Sequence, residues 1–542
     1  MPSTQRARSP EGMVATTDRH ASEVGVAVLT SGGNAVDATV AAAFALAVVN
    51  PEAGNLGGSG FLLARMADGR MEAFDYRGTA PHAATADMFL DAGGDVSEHS
   101  QVGPLAAAAP GSVKGLWEAH RALGSLPWAG LVEPAIELAR GFRATPRFVR
   151  SYPPHIVQGL ARFPESATVF LPEGRPPREG ETLRQPDLAL TLERIREHGA
   201  DGFYRGATAT LLVEAMLRHG GILDLADLAS YEVARREPLA FTYRGHRVLS
   251  MPPSSSGGVA LAETAHMLAG LELGGLEWHC AEHVHLLSEA WKRAFADRNH
   301  YLADTDFVEV PIAELASSAY GARRGLEIDD WATPSGEVGP GLGRGREGDH
   351  TTHVSIVDSK GNAVAMTTTL NTWYGSKWVA EGTGVLLNNE MDDFTAKPGT
   401  PNHFGLIQGA ANAIEPGKRM LSAMTPTIVL DENEGLRLVL GAPGGATIIT
   451  TVFQVISNIL DHGMGLTEAI AAPRIHHQHL PDHIDLEPNC LPASVVRELE
   501  GMGHTVVERP DAWGDAQAVM VDGDGRLEGA ADPRRGGAAL SA

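Results

Sequence analysis

Small apolar residues recur at helical spacing on both sides of Gly32-Gly33 in VGVAVLTSGGNAVDATVAAAFALAVV, residues 24–49. This pattern predicts two helices that meet at a glycine C-cap. Their density of alanine predicts close packing against a sheet or another helix. After Asn50 the pattern shifts to GNLGGSGFLLARM and then MEAFDYRG, two strand-like runs separated by Asp68-Gly69, a hairpin signal. A loop from Gly103 to Ser112 leads into an amphipathic helix from Val113 to Leu123. Helical periods then dominate to about Arg236, clearest in LTLERIREHG and ATLLVEAMLRHGG, with Pro-rich pieces such as Pro172 to Glu181 between them. There is no internal repeat and no low-complexity tract.

The pattern breaks near residue 350. Residues 333–350 read TPSGEVGPGLGRGREGDH, rich in Gly and Pro and without apolar period. Such a segment buries too little to offset its ordering entropy and is expected to be mobile. From Thr351 the chain becomes TTHVSIVDSKGNAVAMTTTLN. Val354 and Ile356 alternate with polar neighbours, Ser359-Lys360-Gly361 supplies a turn, and Ala363 to Thr369 returns, which predicts a β-hairpin. With the turn centred on Lys360, paired residue numbers sum to 720, and Thr351 faces Thr369. Opposed residues have Cβ atoms about 4.5–5.5 Å apart, within hydroxyl-to-hydroxyl reach.

Composition narrows the function. The 542 residues carry 43 Lys and Arg against 67 Asp and Glu, a net charge of −24. That balance argues against nucleic acid as a partner, since phosphate neutralisation needs clustered basic residues. Cys280 and Cys490 are the only cysteines, so no disulfide framework exists. The apolar run Val40 to Val49 is far shorter than the ~20 residues that span a bilayer, so no membrane span is expected. The opening MPSTQRARSP leads into no apolar leader core, which sets a cytoplasmic location as the expectation.

A threonine hydroxyl is a weak nucleophile unless a base lies beside it, and its own α-amine can serve. That arrangement requires the chain to be cut just before the threonine. A glycine-rich run ending at His350, followed at once by a threonine that opens a buried strand, suits such a cut, because the new end can leave the site.

These residues resemble the γ-glutamyltranspeptidases. The resemblance is carried by the run from Thr351, LLNNEMDDF at 386–394, PGKRMLSAMTPT at 416–427, GAPGG at 441–445, GGNAVDATVAAAFALAVVNPEAGNLGGSGF and FDYRGTAP. It implies a four-layer α/β/β/α fold of the N-terminal-nucleophile hydrolase type, built from both processed chains as one compact domain. Self-cleavage between His350 and Thr351 would leave a large subunit, 1–350, with the mobile tail 333–350. The small catalytic subunit would be 351–542. By the same resemblance Thr351 is the nucleophile, Thr369 the threonine bonded to it, and Gly444 and Gly445 the oxyanion hole. Arg77 and Ser422 would bind the α-carboxylate of a γ-glutamyl group, and Asn371, Glu390 and Asp393 its ammonium. Implied partners are γ-glutamyl donors such as glutathione, amino-acid or peptide acceptors, and the sister chain. No cofactor is implied, and a periplasmic or secreted location becomes the alternative to the cytoplasm.

The chain departs from the family pattern in three places. Ala423 replaces the second of two serines, Phe404 stands in the lid segment where relatives have tyrosine, and Glu390 stands where bacterial members often have glutamine. A related amidohydrolase such as a cephalosporin acylase is the alternative reading, and a catalytically silent binding protein a second. His476, His477, His479 and His483 resemble a metal cluster, and His279 and His283 have the i, i+4 spacing of helix-borne zinc ligands. Neither carries the remaining signature of a metal site, and no metal is expected.

Overall fold

The computed structural model describes residues 5–341, 352–397, 400, 403 and 409–542. His350, Thr351 and Phe404, on which the expected cut, the nucleophile and the lid aromatic fall, lie outside the described residues.

Two seven-stranded antiparallel sheets stack face to face. The first runs in the order Gln5–Ser9, Leu527–Ala531, Gln517–Val521, Leu436–Gly441, Thr427–Leu430, His246–Ser250, Leu239–Tyr243. The second runs Ala538–Ser541, Gly12–Thr16, Thr352–Asp358, Ala363–Thr369, Ser59–Arg65, Met71–Tyr76, Ala234–Arg236. Each sheet interleaves strands from both sides of residue 350, so neither half completes a sheet alone.

Helices cover the outer faces. Arg19–Thr30 and Ala35–Val49, the predicted pair, lie on the second sheet. All fifteen residues of Ala35–Val49 are buried, because its alanines let sheet and neighbouring helices approach from every side. Its start is held by a capping box between Asn34 and Asp37. Gly257–Leu268 and Ala446–Leu460 lie on the first sheet, which completes four layers, α/β/β/α. One apolar core fills the space between the sheets and under the second helix layer, and another lies beneath Ala35–Val49. Among the described residues no helix is long and apolar enough to cross a membrane.

The first part of the glycine-rich run, residues 333–341, makes several hydrogen bonds to the body of the fold. The Lys292 ammonium and the Arg293 guanidinium bond the carbonyl and hydroxyl of Thr333 at 2.5 and 3.1 Å. Asp482 accepts from the Ser335 amide and hydroxyl at 2.8 and 2.7 Å, and Asp297 accepts from the Gly341 amide at 2.6 Å. The anchors are polar groups from distant helices and loops. They meet main-chain groups and the hydroxyls of Thr333 and Ser335, and the segment's composition does not report such meetings.

Candidate active site

The hairpin that should carry the nucleophile has the predicted register. Pairs run from Thr352↔Thr368 to Val357↔Ala363, each summing to 720. On its other side Thr369 pairs with Ser59. The GGSG run lets this happen: a Cβ on Gly58 would lie 2.1 Å from the Thr369 carbonyl oxygen, so no other residue fits. The Thr369 hydroxyl accepts the Asn371 amide at 2.8 Å, and Asn371 turns the chain with φ +78°, a conformation asparagine tolerates. The Asn371 side-chain amide then donates to the Asn389 carbonyl at 3.0 Å, drawing the 389–393 turn against the hairpin.

That turn delivers two carboxylates to one arginine. Arg77, at the end of Met71–Tyr76, is 1 % exposed and Glu390 is wholly buried. Arg77 Nη1 is 3.2 Å from Glu390, and Nη2 bonds Asp393. The Ser59 hydroxyl reaches Glu390 at 2.6 Å. Asn412 braces the same turn by donating to the Asp393 carbonyl at 2.7 Å. Burial raises the carboxyl of Glu390 above its ordinary value despite the opposing pull of Arg77 and Ser59. Asp393 is pushed up to about 7, first by burial and then by Asp392 and Glu390, with Arg77 opposing. One guanidinium thus bridges two buried carboxylates.

Ser422 sits where the SSSGG run, without evident role in the sequence, seats it. Its amide donates to the Ser254 carbonyl at 2.9 Å, and the Ser256 amide and hydroxyl both donate to its carbonyl at 2.7 Å. Next to it Ala423 is buried, so the missing hydroxyl leaves a methyl in the wall. Gly445 is the N-cap of Ala446–Leu460 with φ 58° and ψ −118°, a region open to glycine alone, so its peptide is placed at the positive end of that helix. A Cβ on the neighbouring Gly444 would come within 3.6 Å of Gly514 Cα. From there Asp515 accepts from Thr17 at 2.7 Å, and Thr17 accepts from Thr352 at 3.1 Å. The segment packed beside the glycine pair is thereby bonded to the start of the hairpin.

Sequence reasoning singled out Arg77, Asn371, Glu390, Asp393 and Thr369, and the structure brings these together. It missed Ser59, Asn389, Asn412 and the Thr17–Asp515 link. Ser59 was legible only as part of a tight turn, and the others are single polar residues whose partners lie far away in sequence. The histidines resembling a metal cluster diverge: His476 bonds Thr450 at 2.8 Å and Gln478 at 2.9 Å, while His479 bonds the carbonyls of Ser335 and Val338 at 2.9 Å. His279 stacks on Trp278. His285, Glu289 and His504 do converge, but the Glu289 carboxylate is already taken by Lys292 and Arg293 at 2.7 and 2.5 Å.

The family model described as Gamma-glutamyltranspeptidase matches residues 21–542. The chain belongs to the γ-glutamyltranspeptidase family. It is 46 % identical over 536 residues to a glutathione hydrolase proenzyme of Pseudomonas aeruginosa, an alignment covering 98 % of this chain and 94 % of the relative. The solved cephalosporin acylase from Bacillus halodurans superposes with a TM-score of 0.85 at 28 % identity, covering 99 % and 97 % of the two chains. A solved chain of the Helicobacter pylori γ-glutamyltranspeptidase gives 0.59 at 40 % identity, covering 60 % of this chain and 94 % of its own length. The four layers are thus those of the N-terminal-nucleophile hydrolases, as the sequence implied.

Proposed function

We propose that this family member is a self-processing γ-glutamyl transferase and hydrolase with Thr351 as nucleophile. The Thr351 hydroxyl attacks the His350 carbonyl, the peptide C–N bond breaks to leave an ester and a free α-amine, and water hydrolyses the ester. Chains of 350 and 542 − 350 = 192 residues result. The register from Thr352↔Thr368 onward supports Thr351 opposite Thr369 as the next step of the ladder. The interleaved strands would keep the two chains together after the cut.

In turnover the freed amine takes the hydroxyl proton, and the threonine oxygen attacks the donor's γ-carbonyl. The developing oxyanion meets the amides of Gly444 and Gly445, an interaction worth about 2.7–4 kcal/mol per donor in comparable sites. The donor amine leaves with a proton, and water or an acceptor amine then takes the γ-glutamyl group from the ester. Glutathione and other γ-glutamyl amides are the donors this reading names, and amino acids or peptides the acceptors.

The carrying observation is the buried Arg77–Glu390–Asp393 cluster. A γ-glutamyl end brings one carboxylate for Arg77 and one ammonium for the carboxylates, so it enters the buried site without adding net charge. A glutaryl group brings the carboxylate without the ammonium and adds a further negative charge. The test has two parts. Denaturing electrophoresis should show two chains for the native sequence and one for Thr351→Ala. The native protein should also release anilide from γ-glutamyl-p-nitroanilide faster than from glutaryl-p-nitroanilide. A single uncut but active chain would remove the mechanism, and glutaryl preference would replace this reading with that of an acylase.

A further inference from the structure

A cleft of about 610 Å³ opens beside the turn that follows Thr369, within the ~300–1,000 Å³ usual for small-molecule sites. Thr372, Trp373 and Lys377 form one wall, and Gln101, Ile156 and Arg162 belong to the other. Among the described residues its lining includes cations but no aspartate or glutamate. Arg162 is already paired with Glu98 at 2.8 Å.

Lys377 is different. It is 9 % exposed, and its ammonium donates to the Thr372 hydroxyl at 3.0 Å and the Gly375 carbonyl at 2.7 Å. Among the described residues no carboxylate lies within ion-pair reach of it. An ammonium has three protons to donate, so one remains for a ligand. A buried cation with no counter-ion is costly, and burial lowers this one to about 7. An anion arriving in the cleft would remove that cost.

Hydrogen bonds join the wall of the cleft to the turn that carries the ionic cluster. Thr372 donates its amide to the Asn389 side chain at 3.0 Å, and Asn389 adjoins Glu390. Asn371, directly before Thr372, is bonded to Thr369. A group on the nitrogen side of the scissile bond would therefore extend from the acyl site toward Lys377. The leaving amine and the attacking acceptor amine must occupy the same place, since acyl transfer to one is the reverse of release of the other.

We propose that this cleft holds the amine-bearing partner of the reaction, both the donor's leaving peptide and the incoming acceptor, and that Lys377 binds its terminal carboxylate. The assignment rests on the γ-glutamyl transfer reading above and adds the partner's class: α-amino acids or short peptides with a free carboxylate.

The test compares hydrolysis of glutathione with that of glutathione amidated at its glycine carboxylate. The native enzyme should favour the free acid in kcat/KM, and Lys377→Met should shrink that preference by roughly tenfold, the scale of one charge-assisted hydrogen bond. Lys377→Arg should keep most of it. No preference in the native enzyme, or the same preference in Lys377→Met, overturns the assignment. The native comparison decides it even should the methionine variant not fold. Failure of the native enzyme to hydrolyse γ-glutamyl-p-nitroanilide would instead remove the parent reading.

Discussion

The Ser59 hydroxyl lies 2.6 Å from each carboxylate oxygen of Glu390, 331 positions further along the chain. One side chain comes from the proposed large subunit and the other from the small one, and both are wholly buried. A hydrogen bond to a buried charge typically contributes about 1.5–3 kcal/mol. Ser59→Ala should therefore raise KM for γ-glutamyl-p-nitroanilide by roughly tenfold or more, with both processed chains still visible on a gel. An unchanged KM would show that the hydroxyl does not help to hold Glu390 for the substrate.

The raised carboxyl of Asp393 gives donor discrimination a pH dependence. Below its value of about 7 it holds its proton and cannot attract an ammonium, while above that it is anionic and can. The preference for γ-glutamyl-p-nitroanilide over its glutaryl analogue should accordingly rise between about pH 6 and pH 8. The α-amine proposed for Thr351, whose ordinary pKa is about 7.7–8.0, would affect both donors alike and cancel in the ratio. A flat ratio would mean that Asp393 is already ionised throughout.

At Gly445 the backbone angles of φ 58° and ψ −118° are closed to alanine. Gly445→Ala should rotate the peptide and misdirect its N–H, lowering kcat by about 10²–10³ with little change in KM. Steady-state kinetics on the processed protein checks this, and an equal change in KM would point to substrate binding instead.

Gly441 carries the His353 ring on its face. A Cβ there would lie 2.3 Å from the imidazole, which is fully buried and bonded to Thr367 at 2.8 Å and Ser355 at 3.0 Å. Overpacking of this kind costs about 1–3 kcal/mol. Gly441→Ala should lower the thermal midpoint and slow the appearance of the processed chains, because His353 lies two residues beyond Thr351, where the cut is proposed. Native-like melting would show that the ring has room to move.

What the sequence determined by itself is local or carried by contiguous motifs. The hairpin register follows from the alternation of Val354 and Ile356 with polar residues and from the turn at Ser359-Lys360-Gly361. A one-residue slip would have exchanged the two faces of the strand, both of which are buried here against different layers. The helix pair around Gly32-Gly33 follows from the same kind of short-range pattern. Arg77, Asn371, Glu390 and Asp393 were legible because each stands inside a run that resembles a known family. Only the tertiary structure decided that Ser59 holds Glu390, that Lys377 borders a cleft with no counter-ion among the described residues, and that Asp482 and His479 anchor the run after Thr333. Each of these joins single polar residues across long stretches of chain. Neither spacing nor composition encodes such a meeting, and it exists only once two sheets built from both halves have closed on each other.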